Sequence, residues 1–219
     1  MTRFFKDNGL TIVLLLLFLG SLVGQWLTGV HFENQQLIEH GEQPISAIAF
    51  LGDPLFLSTV FENWESEFLQ MAMYVILTAV LFQRGSAESE DPDAKPRDAA
   101  LNRKTRDPAA PAPLRAGPFV RWIYAHSLGL VLLGLFVISF SLHWYFSAMQ
   151  AAEDAALHGE AAEPLWAYLA SPQLWFESFQ NWQSEFLSAA VLVVLSIWLR
   201  QANSPESKAV TAPHDQTGT

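Results

Sequence analysis

Four long apolar stretches alternate with polar segments along the 219-residue chain. With their apolar flanks, each stretch reaches the roughly 20 residues that an α-helix needs to cross the hydrocarbon core of a bilayer. The pattern therefore predicts an all-α membrane protein with four transmembrane helices. The stretches cover residues 10–23, 71–82, 128–140 and 189–199.

One short motif stands directly before the second and the fourth apolar stretch. It reads FENWESEFL at residues 61–69 and FQNWQSEFL at residues 179–187. The same offset of 118 residues (61 to 179) aligns further pairs of tryptophan, His-Gly-Glu and proline. Apolar composition alone would not match these residue types at one spacing, so the pattern indicates an internal repeat of two units. The aligned pairs are Trp26 with Trp144, His40-Gly41-Glu42 with His158-Gly159-Glu160, and Pro54 with Pro172.

The distribution of the 12 basic residues predicts the membrane topology. None lies within residues 7–83 or 122–199, although both intervals contain many acidic residues. Positive charge marks the cytoplasmic side of short loops, whereas acidic residues contribute little to orientation. Both termini and the middle of the chain are therefore predicted to be inside, and both loops outside. Because each half starts on the same side, the two helical hairpins are predicted to be parallel, with a pseudo-two-fold axis along the membrane normal.

Helix-boundary signals divide the chain into two hairpins, a linker and a tail. Gly41 and Gly159 are typical of helix C-termini. Asp53 and Ser171 each precede a proline, which is the expected start of a helix. The basic lead before the first stretch is also typical of a signal peptide cleaved after Gly24, but the matching helix in mid-chain favours retention. The predicted segments are a first hairpin at 1–84 (helices about 9–40 and 54–83), a disordered cytoplasmic linker at 85–118, a second hairpin at 119–200 (helices about 122–158 and 172–199) and a disordered tail at 201–219.

Glu67 and Glu185 are the leading candidate site residues, because both lie within predicted transmembrane helices. Ionisable groups there are costly and normally face the bundle interior. Three interpretations are open: hydrogen bonding between helices, which we favour; a proton or cation site formed by the two carboxylates with His143; and catalysis. Helical spacing places more polar residues in the same layer and tryptophans at the membrane interfaces. The other polar candidates are Asn63, Ser66, Asn181, Ser184, Gln25 and His143, and the interface anchors are Trp26, Trp64, Trp144 and Trp182.

The sequence lacks the motifs of the common catalytic and metal-binding sites. It has no cysteine, which excludes disulfides and thiolate metal sites. It also has no phosphate-binding loop, dinucleotide-binding glycine pattern, HExxH or Gly-x-Ser-x-Gly. We therefore expect no enzymatic activity, no cofactor and no metal. The expected partner is the lipid bilayer, with a homo-oligomer or another membrane protein left open; no nucleic acid is expected, and the sequence indicates no substrate.

Several features resemble a family of bacterial multi-pass membrane proteins of unknown function. They are the duplicated Asn-Trp-x-Ser-Glu-Phe motif, the twin His-Gly-Glu turns, and the segments GSAES at 85–89 and NSPESK at 203–208. The resemblance covers both halves and implies a location in the bacterial plasma membrane, but no activity. We expect an integral membrane protein with a structural or partner-binding role, and the alternative is a small proton- or cation-linked transporter or channel.

Overall fold

All regular elements in the described part of the chain are helices. In this computed structural model that part comprises residues 3–99, 101 and 110–218, and no strand occurs within it. The all-α prediction is therefore confirmed for these residues. The helices are α1 (Arg3–Glu39), α2 (Ala47–Phe50), α3 (Pro54–Thr78), α4 (Ala112–Arg115), α5 (Pro118–Ala125), α6 (Ser127–Leu157), α7 (Leu165–Tyr168) and α8 (Pro172–Leu195).

Two of the described helices, α1 and α6, are long and apolar enough to cross a membrane. Of the four predicted membrane helices, these two are supported, whereas α3 and α8 do not qualify by length and composition. The apolar part of α3 begins after Glu67 and ends with the helix at Thr78, 11 residues later. A helix of 11 residues is only about 16 Å long, whereas the hydrocarbon core of a bilayer is about 30 Å thick. The polar motif at residues 61–69 interrupts the apolar sequence of α3, and α8 is built in the same way. Membrane location is thus supported by two helices.

The apolar side chains of α1 and α6 lie mostly on the surface. None of the apolar window of α1 is buried, and 22% of that of α6 is buried. The core helix of a soluble protein would instead bury such residues. Contiguous apolar surface of this extent is typical of contact with lipid or with another protein.

Several helix boundaries differ from the predicted ones. The third predicted helix, expected from about residue 122, is divided into α5 and α6 at His126, whose backbone leaves the helical conformation. The ends predicted near residues 83 and 199 lie at Thr78 and Leu195. Residues 100 and 102–109 of the predicted linker and residue 219 of the predicted tail are outside the described residues.

The chain divides into two compact units. Unit 1 comprises Met1–Phe61 and Leu142–Leu174, and unit 2 comprises Glu62–Ser141 and Trp175–Thr219. Each unit therefore contains segments from both predicted hairpins.

In unit 1, equivalent contacts recur 118 residues apart. The indole N–H of Trp26 donates to the carbonyl of Ala47 at 2.7 Å, and that of Trp144 donates to the carbonyl of Leu165 at 3.0 Å. These bonds tie α1 to α2 and α6 to α7. The helix ends match as well, because Gly41 (φ +79°) and Gly159 (φ +69°) both adopt the left-handed conformation that terminates a helix. The His-Gly-Glu triplets thus have the predicted role at helix C-termini.

Phe50 is an apolar anchor of unit 1. It is buried, and a Cβ atom added at Gly29 would lie only 2.7 Å from its ring. A glycine in α1 therefore gives Phe50 room to pack against the helix. A second small core in the same unit consists of Ala148, Tyr168 and Leu174.

In unit 2, the segments that follow α3 and α8 form the same turn. The backbone N–H of Gln83 donates to Ser89 Oγ, and that of Gln201 donates to Ser207 Oγ, both at 2.9 Å. Such equivalence is expected from the similar segments at 85–89 and 203–208.

Lys208 anchors the C-terminal segment. Its side chain is 1% exposed, and its ammonium group donates to the carbonyls of Gly85, His214 and Gln216. Composition predicts disorder for the linker and the tail, but these described residues make defined contacts. The difference arises because hydrogen bonds to one buried cation, and not apolar burial, hold the segments together.

Candidate functional site

Helices α3 and α8 contact each other in unit 2 through the repeated motif. The Asn181 amide donates to the carboxylate of Glu62 at 2.5 Å, and the Trp182 indole N–H donates to that of Glu65 at 3.0 Å. The two pairs are separated by 119 and 117 residues in sequence, which bracket the repeat offset of 118. Equivalent residues are therefore at the same level, so α3 and α8 run parallel and in register.

Glu65 is the buried carboxylate of the motif. It is 0% exposed, and the neighbouring Ser66 is 2% exposed. A buried carboxylate is costly unless donors satisfy it, and the Trp182 N–H is one such donor. We refer to the Glu62–Asn181 and Glu65–Trp182 contacts together as the motif seam.

Sequence reasoning missed Glu62 and Glu65, although a signal was present. The equivalent positions in the second copy are Gln180 and Gln183. An amide can make the same hydrogen bonds without a charge, so alternation of Glu and Gln indicates a position used for hydrogen bonding.

Glu67 and Glu185 occupy less buried positions than predicted. Glu67 is exposed and Glu185 is half-buried, while their carboxyl groups interact electrostatically. The structure therefore brings the two predicted carboxylates near each other, but Glu67 does not lie in a closed interior.

The other predicted site residues are divided between the two units. In unit 1, Gln25 donates to Thr59 Oγ1 at 3.1 Å and His143 is completely buried. In unit 2, Ser66 and Ser184 donate to carbonyls of their own helices, those of Asn63 and Asn181. The two serines thus satisfy local backbone groups.

Predicted interface tryptophans of both repeats act as hydrogen-bond donors. Trp26 and Trp144 donate to backbone carbonyls, and Trp182 donates to Glu65, while Trp64 is half-buried. Their location at a membrane interface stays a prediction.

His40 and His158 meet at the ends of α1 and α6, with ring centroids 6.1 Å apart. Each Nδ1 lies within 2.9 Å of a carbonyl in its own last helical turn. Among the described residues, no group of three or more His, Asp or Glu side chains is arranged to hold a metal ion.

Asp53 is the N-terminal cap of α3. Its Oδ1 accepts from the backbone N–H of Leu55 at 2.9 Å. Burial raises the pKa of this carboxyl above its usual value of 3.8, and the backbone N–H groups of Leu55 and Phe56 oppose that rise. Glu33 and Glu153 also interact electrostatically with it. Asp53 is thus a charged cap in an acidic environment.

Replacement of Glu65 by alanine is expected to destabilise the protein. The change leaves the Trp182 N–H without its acceptor, and an unsatisfied buried donor costs about 1–3 kcal/mol. The matched control is Glu67→Ala in the same helix, whose exposed side chain predicts a change within about 0.5 kcal/mol. Unfolding in a non-ionic detergent measures both. Equal losses of stability for the two variants would contradict the assignment of the motif seam.

Asp53→Asn is expected to change the pH dependence of stability. Because the pKa of Asp53 is raised, the folded protein holds this proton more tightly than the unfolded chain does. The free energy of unfolding therefore falls as the pH rises from the pKa of Asp53 in the unfolded chain through its pKa in the folded protein. Asparagine keeps the capping oxygen and removes the charge. The melting temperature of the variant relative to wild type should therefore increase from about pH 4 to about pH 7. The control is the exposed Glu163→Gln, and an opposite trend for Asp53→Asn refutes the prediction.

Comparisons with known proteins identify the family of the chain. A search of curated proteins and a search of solved structures each gave no match. One family model matches residues 1–219, the whole sequence, and carries the description "Domain of unknown function (DUF6766)". The chain belongs to this family of unknown function.

Proposed function

We propose that the chain is an integral protein of the bacterial plasma membrane with a structural or partner-binding role. In this proposal its helices form two parallel hairpins with four spans, both termini in the cytoplasm and the lipid bilayer as the main partner. The two long apolar helices with exposed surfaces support a membrane location. The absence of basic residues from residues 7–83 and 122–199 supports the orientation.

The apolar surfaces of α3 and α8 support the two additional spans. After the motif, α3 exposes Met71, Ile76 and Leu77, and the surface continues past the helix end with Val80 to Phe82. In α8, the equivalent part exposes Val191, Leu192 and Leu195, among others. Side chains of this kind are stable when they face lipid or another apolar helix, and the non-helical residues after Thr78 and Leu195 extend the apolar length.

The motif seam is the observation that carries the proposed role. Glu62 and Glu65 both accept hydrogen bonds from α8. In an apolar environment, such bonds between helices contribute about 0.6–2 kcal/mol each. The buried acidic group of the motif therefore fastens two parallel helices, which is the task of a structural element. A homo-oligomer or another membrane protein is the partner class that the remaining apolar surface fits.

Single cysteines test the proposed topology, because the natural chain contains none. Glu160 lies in a predicted outer loop and Arg97 in the predicted cytoplasmic linker, and both are exposed. In intact spheroplasts, a membrane-impermeant maleimide is expected to label Glu160→Cys. Arg97→Cys should react only after the membrane is permeabilised. Labelling of Arg97→Cys in intact spheroplasts refutes the parallel hairpins.

The second candidate function is proton or cation transport, and the interaction between Glu67 and Glu185 favours it. The exposed position of Glu67 weighs against it, because a closed path would shield such a group from lipid.

Proteoliposomes distinguish the two functions. With a structural role, wild-type protein is expected to conduct protons or monovalent cations no faster than protein-free liposomes do. The matched variants are the double change Glu67→Gln with Glu185→Gln and the exposed control Glu163→Gln. Flux that only the double variant loses would exclude the structural role as the sole function and establish transport.

A further inference from the structure

Unit 2 contains a cavity of about 380 Å³ beside the second halves of α3 and α8. Its volume is within the range of pockets that hold small organic molecules. The wall is almost entirely apolar and is provided by both helices and the residues after α3. Representative wall residues are Met73, Leu77, Phe82, Phe186, Ala189 and Val193.

One end of the cavity is polar and carries a carboxylate. Glu88 is the single charged residue among those that line the cavity. Its Oε2 accepts from the Tyr74 hydroxyl at 3.0 Å, whereas its buried Oε1 receives no N–H or hydroxyl donor from the described residues. Buried polar atoms are normally hydrogen-bonded. A ligand with an N–H group can supply the donor that this oxygen lacks.

The nearby charged groups increase the negative potential at this end. The carboxyl group of Glu206, the repeat equivalent of Glu88, interacts with it electrostatically and through a side-chain hydrogen bond. That bond requires one of the two carboxyl groups to carry a proton. Burial raises the pKa of Glu88, the Tyr74 hydrogen bond opposes the rise, and Glu206 adds to it. The cation nearest to Glu88 in sequence, Arg84, pairs with Asp93 at 2.8 Å. Lys208, two residues from Glu206, is committed to the backbone carbonyls of Gly85, His214 and Gln216.

We propose that this cavity binds an amphiphilic organic cation, a molecule with an apolar body and one primary ammonium head group. The apolar body lies against the wall from α3 and α8, and the ammonium group donates to Glu88 Oε1. Hydrogen bonds between an ammonium and a carboxylate are stronger than neutral ones. An anionic amphiphile would be repelled by Glu88 and Glu206, and a bare metal ion would find too few oxygen ligands on an apolar wall. This inference is independent of the structural role proposed above.

The test uses dodecylammonium as the probe, with dodecanol and dodecanoate as neutral and anionic molecules of matched chain length. Purified full-length protein in a non-ionic detergent is titrated at about pH 8, well above the usual pKa of a carboxyl group, and the heat of a detergent blank is subtracted. Wild-type protein is expected to bind dodecylammonium at least about tenfold more tightly than dodecanol, and dodecanoate most weakly. Equal affinity for all three amphiphiles overturns the proposal.

Variants locate the binding in the cavity. Glu88→Gln keeps the acceptor for Tyr74 and should remove the preference for dodecylammonium over dodecanol. Ala189→Phe fills the cavity and should weaken both ligands about tenfold or more, while the exposed Glu67→Gln should change neither. Melting temperatures verify that each variant is folded. If Ala189→Phe does not fold, the loss of preference in Glu88→Gln is sufficient to test the proposal.

Glu206→Ala, which leaves neither a proton nor an amide donor at this position, separates the proposed ligand from a proton shared by the two carboxyl groups. If the ammonium satisfies Glu88, the wild-type preference exists and the Glu206 variant retains it. If a shared proton already satisfies Glu88, wild-type protein shows no preference and the variant acquires one, which overturns the proposal for the natural chain.

Discussion

The requirement that a buried carboxylate be hydrogen-bonded is the constraint on which the motif depends. Glu65 is completely buried in unit 2 and accepts from Trp182, while Glu62 accepts from Asn181. Loss of these donors would leave a desolvated acidic group at a cost of several kcal/mol. The constraint fixes direction and register together, because both contacts join residues at the same level of α3 and α8. Apolar side chains alone would tolerate sliding by a turn, whereas this pair of bonds does not.

The same physical requirement explains the other polar groups that unit 1 and unit 2 bury. Trp26 and Trp144 direct their indole N–H groups to the carbonyls of Ala47 and Leu165. Lys208 directs its ammonium group to backbone carbonyls, and burial lowers its pKa. Ser178 Oγ, Arg200 Nε and Glu88 Oε1 are buried without such a bond in the described part of the chain, and of these three residues Glu88 lines the cavity of unit 2. Its position in the cavity wall distinguishes Glu88, as a potential ligand-binding group, from the structural polar groups.

The two sequence repeats reproduce local structure more faithfully than they reproduce charge. Helix-terminal glycines, capping residues and the turns after α3 and α8 recur at the repeat offset, since backbone geometry depends on nearby residues. Glu62 and Glu65 illustrate the difference in charge: their equivalents are Gln180 and Gln183. The first repeat therefore carries an acidic motif, and the second supplies the amide and the indole that bind it.

The sequence by itself determined the all-α class, the long apolar helices, the offset of the equivalent contacts and the glycine-terminated helix ends. These properties follow from hydropathy, periodicity and local backbone preferences, which a single segment contains. The tertiary structure decided which carboxylate is buried, because Glu65 and Glu67 differ by two positions in one helix and their environments depend on neighbours distant in sequence. It also decided where α3 and α8 end and how Lys208 is satisfied, since contacts between separate segments outweigh what local composition predicts.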